Sequence, residues 1–321
     1  MSFASNARAE MARELCIEPC CARAELAAAL LACGGISYRF GGAGSYLLSI
    51  TATEAAVVRH YFQLLKRYFG VSAQVRTLRS NSLGGATRYQ LVIPEQASSA
   101  LMNEIALYDP SEPFGLRPVP PDRLTEFACC KRAFIKSAFM ICGGMANPEL
   151  EYHMEIAAPN DEFANYVIKN LDYYEISAKK ACRKAKYVVY LKKSDNVCDM
   201  LTLMGASQAV LALENVRIKK GVSNRVNRQL NCDNSNINRA METALRQIED
   251  IRYIDAEIGL EKLPKQLRDI AEARLNNAAT PLAGLGEMLS PPIGKSGVNA
   301  RLKRISEIAL KLRCGDELDF Q

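Results

Sequence analysis

The chain has 321 residues, 49% of them hydrophobic and 24% charged, and a formal net charge of +6 at pH 7. These values are typical of a soluble globular protein with room for two or three domains that bury their own cores. The longest apolar run, LAAALLACGGI, is too short for a transmembrane helix, and the first fifteen residues lack the apolar segment of a signal peptide. Membrane-spanning and exported classes are therefore excluded, and a cytoplasmic location is expected.

The first two-thirds of the chain contains an internal repeat. Two apolar helices rich in small residues each end in Cys-Gly-Gly, one at Cys33 and one at Cys142. Each is followed by a strand, a capped helix and a further strand, then by another strand (TRYQLVIP or KYVVYLKK) and a helix that begins near Gln96 or Ser194. This order predicts a pseudo-twofold pair of α+β halves.

The small residues of the two glycine-ended helices predict a close helix–helix interface. Ala27, Ala28, Ala29, Ala32 and Gly34 would face Ser137, Ala138 and Gly143 across the twofold axis. The alternative is two ordinary buried helices that stop at glycine.

Eleven cysteines are present, with two histidines and no Cys-x-x-Cys pair. Cys20 and Cys21 are adjacent, as are Cys129 and Cys130. In a cytoplasmic chain this pattern predicts reduced, mostly buried thiols and disfavours disulfides and zinc. Neither a metal nor a cofactor is expected.

Basic residues are concentrated in two blocks. Seven lie between Lys179 and Lys193 and five between Arg217 and Arg228, with no acidic residue in either block. Such blocks favour a polyanionic partner. The alternative is a solvated face balanced by acidic residues elsewhere in the fold.

The segment that follows predicts a connection between two domains. Residues 224–236 are rich in Asn and Arg and are interpreted as a linker. A helix is expected to start near Asn234 or Ser235 and to end before Gly259. Its apolar stripe, which should pack on the first helix of a C-terminal domain, comprises Ile237, Met241, Leu245, Ile248 and Ile251.

The C-terminal segment predicts three short helices. Pro264 and Pro281 occupy first-turn positions, with Thr280 as the cap before the second helix, and Ser290-Pro291-Pro292 ends that helix. Ser296 would cap the third helix. The inward residues are Leu267, Ile270, Ala271 and Leu275, then Leu282, Leu285 and Leu289, then Val298, Leu302, Ile305 and Ala309.

The outward face of the third helix carries short polar and basic side chains. A helix in the major groove needs short polar residues to reach base edges and Arg or Lys to hold phosphates. The alternative is a small helical domain with a solvated basic face. The candidate DNA contacts are Lys295, Ser296, Asn299, Arg301, Lys303 and Arg304.

The paired helices, with αββαββα-like halves behind them, resemble the LAGLIDADG homing endonucleases. In that family each motif helix ends in a carboxylate that holds divalent metal for DNA cleavage. Matching the motif to AALLACG and SAFMICG places the metal-ligand positions at Cys33 and Cys142. Thiols cannot replace carboxylates for Mg²⁺, which prefers oxygen ligands, so cleavage is not expected.

Four further segments are long and unusual: the opening MSFAS, NRVNRQLNCDNSNINRAMETALRQIEDI, LPKQLRDIAEARLNNA and PPIGKSGVNARLKRI. Together with the degenerate repeat they resemble the WhiA family of bacterial regulators of sporulation and cell division. The resemblance implies a non-enzymatic, nucleoid-associated protein whose C-terminal helix–turn–helix reads double-stranded promoter DNA. The body would bind a partner transcription regulator or add DNA backbone contacts from Lys179, Lys180, Arg183, Lys184 and Lys186.

The expected fold class is α+β, with a duplicated LAGLIDADG-like body followed by an all-α helix–turn–helix domain. The body is expected to be a monomer, because the fused duplication already supplies a twofold interface. An active homing endonuclease and a protein-interaction scaffold remain the alternatives. The predicted segments are the first half with its N-terminal segment (1–125), the second half (126–222), the linker and connecting helix (223–259), the helix–turn–helix (260–314) and a tail (315–321).

Overall fold

The computed structural model describes residues 2–39, 45–79, 87–183 and 186–314. The chain forms two compact units, Met1–Lys219 and Lys220–Gln321. None of the described helices is both long enough and apolar enough to cross a lipid bilayer.

The first unit begins with one α+β half. Its four strands form an antiparallel sheet in the order β1-β2-β4-β3. Inward and outward residues alternate along β2, as expected for a sheet with one covered face. The elements are α1 (Phe3–Met11), α2 (Pro19–Ala32), β1 (Ile36–Arg39), β2 (Ser45–Ala52), α3 (Ala55–Phe69), β3 (Gln74–Arg79), β4 (Thr87–Val92) and α4 (Glu95–Glu104).

The second half repeats this topology. Its antiparallel sheet has the order β5-β6-β8-β7, the counterpart of the first sheet. The side chain of Asn160 caps α6 by accepting a hydrogen bond from Phe163 N at 2.7 Å. The elements are α5 (Ala128–Cys142), β5 (Gly143–Met145), β6 (Met154–Ala158), α6 (Asp161–Asp172), β7 (Lys179–Arg183), β8 (Lys186–Leu191) and α7 (Ser194–Leu203). The predicted duplication is confirmed.

Helices α2 and α5 pack directly against each other in the single core that the two halves share. Ala28 and Ala138 are fully buried, and Ser137 Oγ donates to Glu25 O at 2.6 Å across the contact. Gly34 differs from the prediction because it is exposed and lies outside this contact. Its φ of +62° shows that glycine is needed there for the left-handed turn after α2.

A polar network is buried beside the α2–α5 contact. Glu25 and His60 are each 1% exposed, and His60 Nε2 lies 3.0 Å from Glu25 Oε2. His60 Nδ1 lies 3.2 Å from the carbonyl oxygen of Ala12, and Lys136 Nζ lies 3.7 Å from Glu25 Oε1. The network therefore joins α2, α3, α5 and the chain that leaves α1.

The 52-residue helix α8 (Ser207–Ile258) contains residues of both units. Residues 224–236 are helical, so the linker prediction was wrong. Between Ser207 and Ile258 there is no proline and only one glycine, Gly221. Asn and Arg cost a helix well under about 1 kcal/mol each, so a polar exposed segment without breakers remains helical.

Only the C-terminal end of the predicted α8 stripe is buried. Ile248 and Ile251 are 7% and 0% exposed, whereas Ile237, Met241 and Leu245 are all more than half exposed. The prediction was therefore wrong for the first three positions. The core of the second unit reaches α8 only from Ile251 onward, where the helix packs on the C-terminal domain.

The three predicted C-terminal helices are α9 (Lys265–Asn276), α10 (Leu282–Glu287) and α11 (Lys295–Cys314). Two predicted caps were wrong. The first helical bond of α10 runs from Leu285 N to Pro281 O, so Pro281 and not Thr280 precedes the helix. In α11 Val298 N donates to Gly294 O, which places Ser296 inside the first turn. The predicted inward positions that are buried are Ile270, Ala271, Leu285, Leu289, Val298, Leu302, Ile305 and Ala309.

Candidate nucleic-acid interface

One face of α11 is an exposed polar and basic stripe. Lys295, Asn299 and Lys303 follow one another at intervals of four residues, so their side chains share one face of the helix, and Ser296 lies beside them. All four are exposed, while Val298 on the adjoining face is fully buried. We call these four residues the α11 stripe. Lys295 and Lys303 have no carboxylate partner in the part of the chain that the structure describes.

The two predicted arginine contacts lie outside the α11 stripe. Arg301 is half-buried on the flank of the helix. Arg304 is exposed, and its guanidinium forms an ion pair with Glu307 at 3.2 Å. An exposed ion pair of this kind contributes at most about 1 kcal/mol, so Arg304 can exchange Glu307 for a phosphate.

Arg274 holds the turn that precedes α10. It is 3% exposed, and its Nη1 donates to Thr280 O at 2.9 Å and to Ala278 O at 3.4 Å. Burial lowers the pKa of Arg274 by desolvating the charge. Sequence reasoning missed this residue, although its spacing from Ile270 and Ala271 places it on the apolar face of α9.

The C-terminal part of α11 is anchored to α8. Arg313 pairs with Asp250 at 2.9 Å and stacks its guanidinium 4.9 Å from the ring centre of Tyr253. Together with the buried residues of α11, this contact fixes the direction of the helix. The α11 stripe is therefore presented on a rigid element.

The structure divides the predicted basic block of the body between two faces of its sheet. Lys179 and Lys180 are consecutive in β7, so their side chains point to opposite faces. Lys180 Nζ contacts Asp161 Oδ1 at 2.5 Å and Asn165 Oδ1 at 2.8 Å on α6. The hydrogen bond from Lys180 lowers the pKa of Asp161. Lys180 is thus engaged with the helix-covered side of the sheet.

Of the other predicted body contacts, Lys179 and Lys186 are both exposed. Lys179 is paired with Tyr190 and Lys186 with Arg183, and positions 179 and 183 of β7 lie on the same face of the sheet. The two lysines therefore share the open face. Lys184 and the side chain of Arg183 lie outside the described residues. A continuous track of five basic residues is therefore not supported by the described part of the block.

Cys33 and Cys142 lie at the glycine-flanked ends of α2 and α5, as predicted. Cys33 Sγ donates to Ser49 O at 3.4 Å and Cys142 Sγ donates to Ala138 O at 3.1 Å. Burial raises the pKa of both thiols, and that of Cys142 to about 12. The two groups are therefore neutral thiols at neutral pH, which are poor ligands for hard cations.

A guanidinium lies at the same end of α5. Arg8 donates to the carbonyl oxygen of Gly143 and pairs with Glu54 at 2.7 Å. Both members of the pair are largely buried. Arg8 thus engages the Gly143 carbonyl oxygen and the Glu54 carboxylate, two oxygen groups at this end of α5 that a divalent cation would need.

At the opposite ends of the same helices the structure brings four cysteines together. The Sγ atoms of Cys20, Cys21, Cys129 and Cys130 all lie within 4.8 Å of one another. Among the described residues this is the only group of three or more His, Cys, Asp or Glu side chains placed to hold a metal ion. The sequence predicted reduced, mostly buried thiols but not this cluster, which forms because the twofold contact of α2 and α5 brings the two adjacent pairs together.

Three family models match the chain. The WhiA N-terminal LAGLIDADG-like domain matches residues 19–108, the WhiA LAGLIDADG-like domain residues 131–223 and the WhiA C-terminal HTH domain residues 226–309. The first two matches correspond to the two halves of the first unit, and the third corresponds to the helix–turn–helix domain with the part of α8 that precedes it.

Relatives and a solved structure match over nearly the whole chain. Proteins named "Probable cell division protein WhiA" are 39% identical in Desulforamulus reducens, over 99% of this chain and 98% of that protein, and 39% identical in Alkaliphilus oremlandii, over 98% and 99%. The crystal structure of full-length DUF199/WhiA from Thermatoga maritima shares the fold, with a TM-score of 0.56 and 21% identity over 97% of this chain and 99% of that chain. The chain belongs to the WhiA family.

Proposed function

We propose that this protein is a sequence-specific DNA-binding regulator of bacterial cell division and sporulation genes. The observation that carries the proposal is the α11 stripe on the last helix of a helix–turn–helix domain. Relatives of this chain are named as probable cell division proteins, which supports the same biological role. In this role α11 enters the major groove of promoter DNA.

Each residue of the α11 stripe has a distinct part in this proposal. The amide of Asn299 can donate to and accept from the edge of an adenine, so it reads a base. Lys295 and Lys303 neutralise phosphates on either side of it, and Ser296 adds a hydrogen bond near the start of the helix. Arg301 and Arg304 reach the backbone from the flank.

Selection of bound duplexes from a randomised DNA pool by the full-length chain, with Mg²⁺ present, tests the proposal. We expect one enriched motif and uncut DNA. A pool without enrichment would refute sequence reading by this chain alone.

We expect Asn299→Ala to remove about 1–3 kcal/mol of discrimination at one position of the selected motif, because a bidentate base contact is lost. The measurement is the affinity of the variant for the selected duplex and for duplexes changed at each position. Lys303→Ala is the matched control on the same face, since it removes a phosphate contact and should weaken all duplexes equally. Equal losses on selected and scrambled duplexes for Asn299→Ala would contradict the assignment.

We propose further that the body does not cleave DNA. The neutral thiols of Cys33 and Cys142 and the pairing of Glu54 with Arg8 support this, because metal-dependent hydrolysis needs carboxylates that hold Mg²⁺. The alternative, an active homing endonuclease, predicts cleaved molecules in the selected pool. Their recovery would overturn the proposed inactivity.

The open face of the second sheet can add phosphate contacts through Lys179 and Lys186. If it does, the double variant Lys179→Ala/Lys186→Ala should make the plot of log affinity against log salt less steep, reducing the magnitude of its negative slope by about 2. Lys311→Ala, an exposed lysine in the last turn of α11, serves as the control for loss of charge alone. An unchanged slope would remove DNA from this surface and favour its use by a partner regulator or as a scaffold.

A further inference from the structure

The four-cysteine cluster has the symmetry of the fold. Cys20 and Cys129 each stand thirteen residues before the cysteine that ends their helix. All four residues lie in the first turns of α2 and α5, directly after Pro19 and Ala128. The two pairs are therefore equivalent positions of the duplicated halves, placed face to face by the twofold axis.

The spacing of the sulfur atoms suits one tetrahedral ion. Cys129 Sγ and Cys130 Sγ are 3.9 Å apart, and no pair in the cluster exceeds 4.8 Å. Four thiolates at about 2.3 Å from a zinc ion are about 3.8 Å apart. Closing the cluster around an ion therefore needs side-chain shifts of about 1 Å or less and no movement of the helices.

Burial raises the pKa of Cys21 and raises that of Cys130 to about 12, so an ion that binds here must displace the thiol protons, and the two helix starts offset part of that cost. The first turns of α2 and α5 contain no acidic residue, and neither helix start has a side-chain cap. The positive ends of the two helix dipoles thus meet at the cluster, where they stabilise thiolates. Cys21 and Cys130 are buried and Cys20 and Cys129 half-buried, so the site is shielded from water.

The cluster is also accessible to an ion. A cavity of about 280 Å³ is lined by Cys21 and Cys129 together with Arg132, Lys136 and Glu14. It provides an entry path from the surface of the first unit. The lining carries three carboxyl groups, those of Glu14, Glu18 and Glu25, against the two cations of Arg132 and Lys136, and this acidic balance attracts a divalent cation to the path.

We propose that Cys20, Cys21, Cys129 and Cys130 bind a thiophilic divalent cation, with zinc as the fitting ion. An all-sulfur tetrahedral set selects zinc over Mg²⁺ and Ca²⁺, which need oxygen ligands. The ion joins the N-terminal ends of α2 and α5 and so links the two halves of the body. It is distinct from the nuclease-type position at Cys33 and Cys142, which lies about 20 Å away along helices of this length.

Cobalt and zinc titrations of the full-length chain, reduced and freed of metal, test the proposal. Cobalt should produce a thiolate-to-metal charge-transfer band and the visible bands of tetrahedral coordination, and zinc should abolish both. Elemental analysis should then find about one zinc ion per chain. Zinc should also raise the melting temperature of the unsubstituted chain.

The variants separate this site from the other cysteines. Cys20→Ser/Cys129→Ser should lose the cobalt spectrum and the bound zinc, while Cys33→Ser/Cys142→Ser, the pair at the other ends of the same helices, should keep both. Absence of a cobalt spectrum in the reduced parent chain would overturn the proposal whether or not the variants fold. Retention of the metal by Cys20→Ser/Cys129→Ser would also overturn it. So would a parent chain that forms a disulfide between α2 and α5 and, once reduced, binds no metal.

Discussion

Replacement of Glu25 by alanine is expected to lower the free energy of unfolding of the first unit by about 3–5 kcal/mol. Glu25 is the carboxylate that faces both His60, at 3.0 Å, and Lys136, at 3.7 Å. A carbonyl oxygen only accepts hydrogen bonds, so His60 Nδ1 donates to Ala12 O and the imidazole cannot turn away without losing that bond. The substitution therefore leaves buried polar groups without a partner and opens a cavity.

Urea unfolding monitored by tyrosine fluorescence measures this loss. The signal reports mainly on the first unit, because twelve of the thirteen tyrosines precede Lys220. Glu25→Gln keeps the shape and one hydrogen bond to His60, so it should cost less than alanine. Glu104→Ala is the control, since the Glu104–Arg23 pair is long, at 3.8 Å, and exposed. Its removal should change the stability by less than about 1 kcal/mol. A loss for Glu25→Ala no larger than that of the control would contradict the structural role of the network.

Gly286→Ala is expected to destabilise the second unit by about 1–3 kcal/mol or more and to abolish specific DNA binding. A Cβ atom on Gly286 would lie 2.0 Å from Ile293 O and 3.1 Å from Val298 Cγ2. Ile293 N donates to Gly286 O at 3.0 Å, so the chain before α11 lies directly against α10. The added methyl group must push these segments apart and change the position of α11 relative to α9.

Gly284→Ala is the matched control in the same short helix. A Cβ atom there meets only Thr280 Cγ2, at 2.9 Å, which is the end of a side chain. Replacing glycine by alanine within a helix stabilises it by up to about 1 kcal/mol, so the control should keep its stability and its DNA affinity. Thermal unfolding and titration of the selected duplex measure both variants. Unchanged melting and affinity for Gly286→Ala would show that the α10–α11 contact does not position the reading helix.

Most of the fold could be predicted because its signals are local. The inward stripe of α11 repeats at helical spacing, and prolines and glycines mark the ends of its neighbours, so three helices followed from periodicity alone. The two Cys-Gly-Gly sequences revealed the duplication because equivalent elements carry equivalent patterns. The exposed positions of Asn299 and Lys303 followed from the buried positions of Val298 and Leu302, because each exposed residue is turned by about 100° from the buried residue before it.

Errors occurred where the deciding interaction was absent from the local pattern. Residues 224–236 resembled a linker by composition, yet nothing in them breaks a helix. Ile237 and Met241 matched a buried stripe, but burial requires a neighbour, and the core of the second unit begins further along α8. Lys179 and Lys180 belong to one basic run, while the alternation of β7 sends one to the open face and the other to Asp161.

The sequence by itself determined the class of most elements, the duplication, and the exposed polar and basic face of the last helix, because these depend on residues close together in the chain. Only the tertiary structure decided which distant residues meet. Cys21 and Cys129 are separated by more than a hundred residues, and no periodicity links them until α2 and α5 cross at the twofold axis. The same contact buries Glu25 beside His60 and Lys136, because close packing of two helices removes water from every polar group that lies between them.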